Sequence, residues 1–352
     1  MFSLGHAMNI TELLALAIKK NSSDLHLSAG SSPMIRVDGS LEKLNAITLQ
    51  HQEVIKLIHD IMTDKQRQEF DEHLETDFSF EIAALGRFRV NVFTQARGVG
   101  AVFRIIRSTL LTMDDLGLPP IFKEIASFPR GLVLVTGPTG SGKSTTLAAM
   151  IDYINCTRCH HIITIEDPVE FIHVSKKCLI NQRQVFRDTL GFDVALRSVL
   201  REDPDIILVG ELRCLKTIRL AMTAAETGHL VFGTLHTNSA TKAINRIIDV
   251  FPGNEKAMIR SMLSESLQAV VAQTLLKKTG GGRQAALEIM ICNLAIRNLI
   301  REDKVAQMYS VLQTGQANGM QTLDQHLTQL VKQNLIARHT ARDVAMNKTL
   351  FE

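Results

Sequence analysis

A glycine-rich segment that ends in lysine, serine and threonine carries the clearest chemical signal in this 352-residue chain. It follows the apolar stretch Leu132–Thr136 and precedes the helix-favouring residues 147–151. The segment is Gly137-Pro138-Thr139-Gly140-Ser141-Gly142-Lys143-Ser144-Thr145. This spacing matches G-x-x-x-x-G-K-[ST] between a strand and a helix, where backbone N–H groups surround phosphate oxygens. The segment therefore predicts a nucleoside triphosphate site built from residues 137–145.

Three kinds of residue in this loop have separate duties. The glycines let the backbone approach phosphate oxygens without a clashing Cβ, and the N-terminus of the following helix adds partial positive charge. Lys143 can reach the β- and γ-phosphates, and the hydroxyl of Ser144 can ligate Mg²⁺. We therefore expect ATP and Mg²⁺ to bind at this loop.

Carboxylates follow two further apolar runs, each at the point where a predicted strand ends. Glu166 and Glu170 come after Ile162–Ile165, and Glu211 comes after Ile206–Val209. Ligands of parallel sheets sit at the carboxyl ends of the strands, so these side chains should lie beside the glycine-rich loop. In phosphoryl transfer such carboxylates support Mg²⁺ or orient the attacking water. We expect all three to be catalytic, with Glu211 as the general base.

Two histidines flank the last apolar run of this kind, Leu230–Thr234. His236 follows the run closely, and His229 directly precedes it. Either imidazole could donate to the γ-phosphate or respond to its presence, and both are candidate catalytic residues. For His229 a structural role explains the residue equally well.

The elements that must position these residues change in character along the chain. Residues 1–108 predict a mixed α+β domain, in which strand Arg87–Phe93 places Phe88, Val90 and Val92 on one face. Residues 109–120 contain turn chemistry and are interpreted as a linker. From 121 to 352, apolar strands alternate with helices, as in a parallel α/β sheet buried on both faces, and a helical subdomain begins at about 294.

Composition narrows the class of protein. The 39 Lys and Arg residues nearly balance the 36 Asp and Glu residues, which gives a net charge of +3. With 45% hydrophobic and 21% charged residues, the chain is typical of neither disordered nor membrane-spanning proteins. Five cysteines, an odd number, fit a reducing compartment better than a disulfide framework. These features predict a cytoplasmic protein of about two domains without a transmembrane segment.

Four blocks together resemble the secretion ATPase superfamily, which powers type II and type IV secretion and type IV pili. The blocks are Walker A at 137–145, the Asp box Thr164–Glu170, Walker B at 200–213 and the His box Gly228–His236. The similarity is greatest to the subfamily of type IV pilus retraction ATPases and begins at about Met8. In particular, Ala295–Glu302 resembles the C-terminal retraction motif of that subfamily.

This resemblance implies properties that composition and spacing do not give. They are an α/β fold with a RecA-like P-loop ATPase domain, an N-terminal PAS-like domain and a helical C-terminal tail, in a homohexamer with ATP between the domains. It also implies that N-terminal arginines reach the phosphates, with Arg89 and Arg104 as candidates and Arg87 behind them. The implied function is pilus retraction and twitching motility. The implied partners are an inner-membrane platform protein and the pilus machinery, at the cytoplasmic side of the inner membrane.

Two other functions fit the same motifs. An accessory ATPase that regulates another pilus motor would carry them, because motifs report competence and not turnover. A RecA-like nucleic-acid motor would need a basic channel, and the chain offers only short pairs such as Lys176-Lys177 and Lys277-Lys278. No nucleic-acid partner is therefore expected.

Three residues depart from the family pattern. Cys214 stands where an aspartate is usual, Lys216 replaces an acidic residue, and Gln184 replaces a common glutamate. An aspartate would suit the start of a helix, so the expected effect of Cys214 is a local loss of stability, with the chemistry retained.

Overall fold

The computed structural model describes residues 9–37, 39–44, 47–83, 85–106 and 110–352. The chain divides into two compact units, Met1–Thr109 and Leu110–Glu352. Met8, residues 107 and 108 at the end of the predicted N-terminal domain, and Thr109 at the start of the predicted linker lie outside the described residues.

The first unit is an antiparallel sheet with three helices among its described residues. Its elements are α1 Ile10–Lys19, β1 Asp24–Ser28, β2 Met34–Val37, β3 Ser40–Lys43, α2 His51–His59, α3 Asp64–His73, β4 Glu75–Ile82, β5 Gly86–Gln95 and β6 Gly98–Ile106. The strands run in the order β3-β2-β1-β6-β5-β4. The helix α1 begins with a capping box, in which Asn9 accepts from the backbone of Glu12 and Glu12 accepts in return.

Strand β5 shows how this sheet divides its two faces. Phe88, Val90 and Val92 are fully buried in the core of the unit, which confirms the predicted alternation. Arg89 lies on the opposite face and is the cross-strand partner of Arg104 on β6. The two candidate arginines are therefore neighbours on one face of the sheet.

The second unit is a mixed sheet with helices that pack on it. Its elements are α4 Ile121–Ile125, β7 Gly131–Thr136, α5 Lys143–Thr157, β8 His161–Glu166, β9 Leu179–Gln184, α6 Phe192–Val199, β10 Ile206–Val209, α7 Leu215–Glu226, β11 Leu230–Leu235, α8 Ala240–Asp249, α9 Lys256–Ser266, β12 Leu267–Lys277, β13 Arg283–Ile291, α10 Leu294–Arg301, α11 Met308–Thr314, α12 Leu323–Lys332 and α13 Arg338–Val344. Short 3₁₀ helices lie at Val305–Gln307, Gln316–Asn318 and Lys348–Phe351.

Strand order explains why the candidate residues of this unit meet. The order is β13-β12-β7-β11-β10-β8-β9, and only the β12–β13 pair within it is antiparallel among the described strands. The carboxyl ends of β7, β8, β10 and β11 therefore lie along one edge. These four strands were predicted from their apolar runs and are confirmed, whereas β9, β12 and β13 were not predicted.

The C-terminal residues form helices, as the sequence predicts from about 294. Within the motif Ala295–Glu302, the guanidinium of Arg297 donates to the backbone carbonyls of Ser264 and Glu265, each at 2.7 Å, and to Gln268 Oε1 at 3.0 Å. These bonds satisfy carbonyls at the end of α9, which have no partner within the helix. Arg297 therefore joins α10 to the end of α9, and Leu294 stays 80% exposed.

The helix α7 begins at the site of one family departure. Cys214 precedes α7 as its N-cap residue, and its Sγ lies 3.2 Å from Thr217 Oγ1. The expected loss of stability relative to an aspartate stays a prediction. Within the described residues, no helix is long and apolar enough to cross a bilayer.

A buried histidine makes the stability of this unit depend on pH. His326 on α12 accepts a hydrogen bond at Nδ1 from the backbone N–H of Leu287, at 2.9 Å. Burial lowers the pKa of His326 from 6.5 to about 4. Between these values the unfolded chain binds a proton that the folded chain does not, so acid favours unfolding in this window.

We expect the free energy of unfolding to fall as pH drops from 6.5 towards 4. His326 alone should contribute a loss of up to about 3 kcal/mol. His326→Gln retains an acceptor for Leu287 and should flatten this part of the pH profile in urea unfolding. The matched control is His339→Gln, because His339 is exposed on α13. Equal slopes for the wild type and His326→Gln would contradict the prediction.

Candidate active site

The loop between β7 and α5 has the backbone that the glycine-rich sequence favours. Gly137, Gly140 and Gly142 have φ values of 148°, 78° and 86°, and Gly142 is the N-cap residue of α5. Residues other than glycine rarely adopt these backbone angles. The N-terminus of the 15-residue helix α5 begins at Lys143, directly after the loop.

Lys143 is folded back onto its own loop. Its Nζ donates to the carbonyl oxygens of Gly137 at 2.9 Å and Pro138 at 3.0 Å, and the residue is buried. Burial lowers the pKa of this ammonium, while the carboxylates of Glu211 and Glu170 oppose that shift. The cation is thus held at the loop by bonds that phosphate oxygens can replace.

The loop and its surroundings fit a phosphate group and a magnesium ion. A Cβ added to Gly140 would meet no atom within 4 Å, so the loop surface is open at that position. Ser144 lines a cavity of about 30 Å³ together with Glu166, His173 and Thr234. That volume is enough for a water molecule or a small cation, and hydroxyl and carboxylate oxygens are the ligands that Mg²⁺ prefers. Ser144 and Glu166 could therefore hold the metal, directly or through water.

Glu166 is fixed by its neighbours at the end of β8. Its Oε1 accepts from the hydroxyl of Thr164 at 2.6 Å and from Nε2 of Gln182 at 3.2 Å, and its carboxylate also accepts from the backbone N–H of Glu170. Burial raises the pKa of Glu166, although the bonds from Thr164 and Gln182 oppose the shift. The same Gln182 amide donates to the carbonyl of Phe171. Gln182 thus ties the Asp-box loop to β9.

Glu211 and His236 meet because β10 and β11 are adjacent. The backbone N–H of Leu212 donates to the carbonyl of Thr234 at 3.0 Å, and the hydroxyl of Thr234 donates to the carbonyl of Gly210. Nε2 of His236 lies 3.2 Å from Oε1 of Glu211. The structure therefore brings the candidate base and one candidate histidine into direct contact.

Arg213 completes this group. Its Nε lies 2.6 Å from Oε1 of Glu211. Burial by itself would raise the pKa of Glu211, but the hydrogen bond and charge of Arg213, followed by His236, outweigh it and hold the pKa below its ordinary value. Glu211 is thus ionised at neutral pH. Gly210, just before Glu211, packs tightly on β8: a Cβ there would lie 3.2 Å from Glu166 Cα, so a larger residue would have to push the Glu166 backbone aside by a few tenths of an ångström.

Three predicted site residues do not belong to the group formed by Glu211, His236 and Arg213. His229 precedes β11, at the opposite end of the strand from His236, and its Nδ1 lies 2.9 Å from the carbonyl oxygen of Ala224. Its catalytic role stays a prediction. Arg89 and Arg104 belong to the first unit, where they pair with Asp77 at 2.7 Å and Asp24 at 3.1 Å. Their role at the phosphates also stays a prediction.

Sequence reasoning missed two polar residues that support the site. Arg213 lies two residues after Glu211. The sequence pattern at the end of β10 gives no indication that the Arg213 side chain contacts the Glu211 carboxylate. Gln182 lies on β9. This strand is mostly polar, so a search for apolar runs does not predict it. A register-based search of strands adjacent to β8 could have found Gln182, because it pairs with Thr164.

Comparison with known proteins decides the family. A family model described as "Type II/IV secretion system protein" matches residues 6–344. The chain belongs to the type II/IV secretion system protein family. Its similarity to members of this secretion family extends over nearly the whole chain.

Two curated relatives and one solved structure illustrate that similarity. The chain is 68% identical to "Type IV pilus retractation ATPase PilT" of Pseudomonas aeruginosa, over 96% of this chain and 98% of the relative. It is 57% identical to "Twitching motility protein" of Neisseria gonorrhoeae, over 97% and 91%. The crystal structure of "the Pilus Retraction Motor PilT and Bound ADP" matches with a TM-score of 0.89 and 48% identity, covering 97% and 98%. The α/β secretion ATPase fold expected from the sequence is thereby confirmed.

Proposed function

We propose that this protein is an ATP hydrolase that powers type IV pilus retraction and twitching motility. One observation carries the chemistry: the Lys143 ammonium on the phosphate-binding loop lies within electrostatic range of the carboxylate of Glu211, which is held by Arg213 and His236. The biological role follows from relatives with 68% and 57% identity, which are named for pilus retraction and twitching motility.

Binding and orientation are the tasks of the loop. Backbone N–H groups of the loop and of the first turn of α5 hold the phosphates, and Lys143 exchanges its bonds with the carbonyls of Gly137 and Pro138 for phosphate oxygens. Ser144 and Glu166, which line one cavity, would hold Mg²⁺, and Glu170 would support the ion from the Asp box. When bound, the ion neutralises charge on the β- and γ-phosphate oxygens.

Glu211 orients the attacking water and accepts its proton. The low pKa keeps the carboxylate ionised, so it accepts a hydrogen bond from water without first losing a proton. His236 contacts the same carboxylate oxygen and lies where a change at the γ-phosphate can alter that contact. Hydrolysis is thereby linked to the segment that leads into α8.

The same proposal includes two arginines of the N-terminal unit and the assembly of several copies of the chain. Arg89 and Arg104 would exchange Asp77 and Asp24 for phosphate oxygens during the reaction, stabilising the developing charge. The working assembly would be a homohexamer at the cytoplasmic side of the inner membrane. Its partners would be a platform protein and the pilus machinery. The retraction motif exposes Ala295 and Asn298, and Leu294 directly before the motif is 80% exposed, so this side of α10 is open to a partner.

Complementation tests this function. In a bacterium that lacks its own retraction ATPase, we expect the wild-type chain to restore twitching, and Glu211→Gln to restore none. Sizing and ATPase assays on the purified proteins accompany the motility measurement. The accessory function would be favoured instead if the purified chain hydrolyses ATP but restores twitching only in cells that also contain the resident retraction ATPase. Hydrolysis that DNA stimulates with a steep salt dependence would favour a nucleic-acid motor.

A further inference from the structure

Gln273 is a buried polar side chain that lies behind the phosphate-binding loop. It belongs to β12, the neighbour of β7 in the sheet, and is only 3% exposed. A buried carboxamide is costly unless its N–H and C=O groups find partners. Both groups of the Gln273 carboxamide have hydrogen-bond partners, one in the loop and one in the helix that follows it.

The two hydrogen bonds of this carboxamide fix two different parts of the loop region. Nε2 of Gln273 donates to the backbone carbonyl of Ser141 at 2.6 Å. Oε1 of Gln273 accepts from the hydroxyl of Thr146 at 2.8 Å. Ser141 lies just before the end of the loop, and Thr146 lies in the first turn of α5. One rigid amide therefore spans the segment that contains Lys143 and Ser144.

Gln273 also leaves little space for a side chain at two glycines of the loop. A Cβ on Gly142 would lie 2.9 Å from Nε2 of Gln273, and a Cβ on Gly137 would lie 2.3 Å from its backbone oxygen. Real Cβ atoms are not found so close to backbone oxygens. Close packing against β12 thus demands glycine at 137, and at 142 a Cβ would displace the carboxamide of Gln273, independently of any bound phosphate.

We propose that Gln273 is a positioning residue for nucleotide binding, which keeps the phosphate-binding loop in its binding conformation. Its bond to Ser141 directs that carbonyl away from the phosphate side of the loop, where it would repel phosphate oxygens. Its bond to Thr146 fixes the first turn of α5, from which Lys143 and Ser144 project. This inference rests on the proposed nucleotide site and adds the residue that holds it in shape.

Gln273→Met tests the inference, because methionine has a similar length and makes neither hydrogen bond. A loop that is no longer held must be ordered by the nucleotide, so ground state and transition state should lose the same binding energy. We expect the Kd for ADP and the KM for ATP to rise about tenfold, while kcat changes by less than about threefold. ADP binding is measured by fluorescence titration, and hydrolysis by phosphate release.

Two further variants separate positioning from mere structural support. Thr146→Val removes only the second bond and should raise the Kd for ADP by about threefold, and it also serves if Gln273→Met fails to fold. Gln321→Met is the matched control, since Gln321 donates to the carbonyl of Leu287 on the neighbouring strand β13 and makes no contact with the loop. The control should keep the wild-type Kd and KM.

The outcomes are distinct. An unchanged Kd for ADP in folded Gln273→Met, or in Thr146→Val if that variant alone folds, would overturn the positioning role, even if the unfolding midpoint falls. Failure of the wild-type protein to bind ADP or hydrolyse ATP would instead overturn the proposed function.

Discussion

Glu211→Gln should lower kcat for ATP hydrolysis by about 100- to 1,000-fold and leave the Kd for ADP within about threefold of wild type. The amide retains the size of the carboxylate but cannot accept a proton from water. It also ends the ion pair with Arg213, whose Nε lies 2.6 Å from the carboxylate. In the proposed mechanism Glu211 acts on the attacking water, so its loss should reduce turnover while ground-state binding is retained.

The measurement is steady-state hydrolysis together with ADP titration on the same preparations. Glu226→Gln is the matched control, because Glu226 ends α7 and does not contact the group around Glu211. The pKa of Glu211 is lowered and that of Glu166 is raised by burial, so an acid limb of the wild-type pH–rate profile above the ordinary carboxyl pKa of 4.5 would report Glu166 and not Glu211. A Glu211→Gln protein with wild-type kcat would remove Glu211 from the reaction.

The group of candidate catalytic residues around Glu211 shows how far local sequence signals reach. A short apolar run followed by a polar residue is a pattern of sequence neighbours, and it was enough to predict β7, β8, β10 and β11. Since parallel strands end at the same edge, it also predicted that Glu166, Glu211 and His236 would lie near the loop. The contact between Glu211 and His236 follows from the pairing of β10 with β11.

Residues distant in sequence lay beyond that reasoning. Gln273 is 127 residues from Thr146, and it lies in β12, which follows α9 without a turn signal. An apolar stretch of this length is consistent with either a helix or a strand. Its pairing with β7 is decided by the packing of the whole sheet. The support for the loop was therefore not visible in the motif that the loop itself provides.

Arg297 shows the same limit of sequence reasoning. The sequence gives only its place in Ala295–Glu302, the segment that resembles the retraction motif. In the structure its guanidinium is occupied by the carbonyls at the end of α9. Arg297 variants would therefore report on the integrity of the fold, and the exposed Leu294 is the better probe of partner contact.

Lys143→Met should abolish measurable ATP hydrolysis and weaken ADP binding by more than about 100-fold, without destabilising the fold. The side chain provides the one cation of the phosphate-binding loop, and methionine replaces its length without its charge. Burial already lowers the pKa of Lys143, which means that the folded protein holds the charged form at a cost. Removal of that charge should leave the free energy of unfolding unchanged or increase it.

Loss of function with retained or increased stability distinguishes a functional charge from a structural one. Thermal unfolding in the absence of nucleotide gives the stability, and titration with ADP gives the affinity. Lys332→Met serves as the matched control, because Lys332 is exposed at the end of α12, and it should behave as wild type in both measurements. Excess ADP should raise the unfolding midpoint of the wild type and the control, since a ligand that binds only the folded state stabilises it, and should not raise that of Lys143→Met. A marked fall in the stability of Lys143→Met would show instead that its bonds to Gly137 and Pro138 hold the loop together.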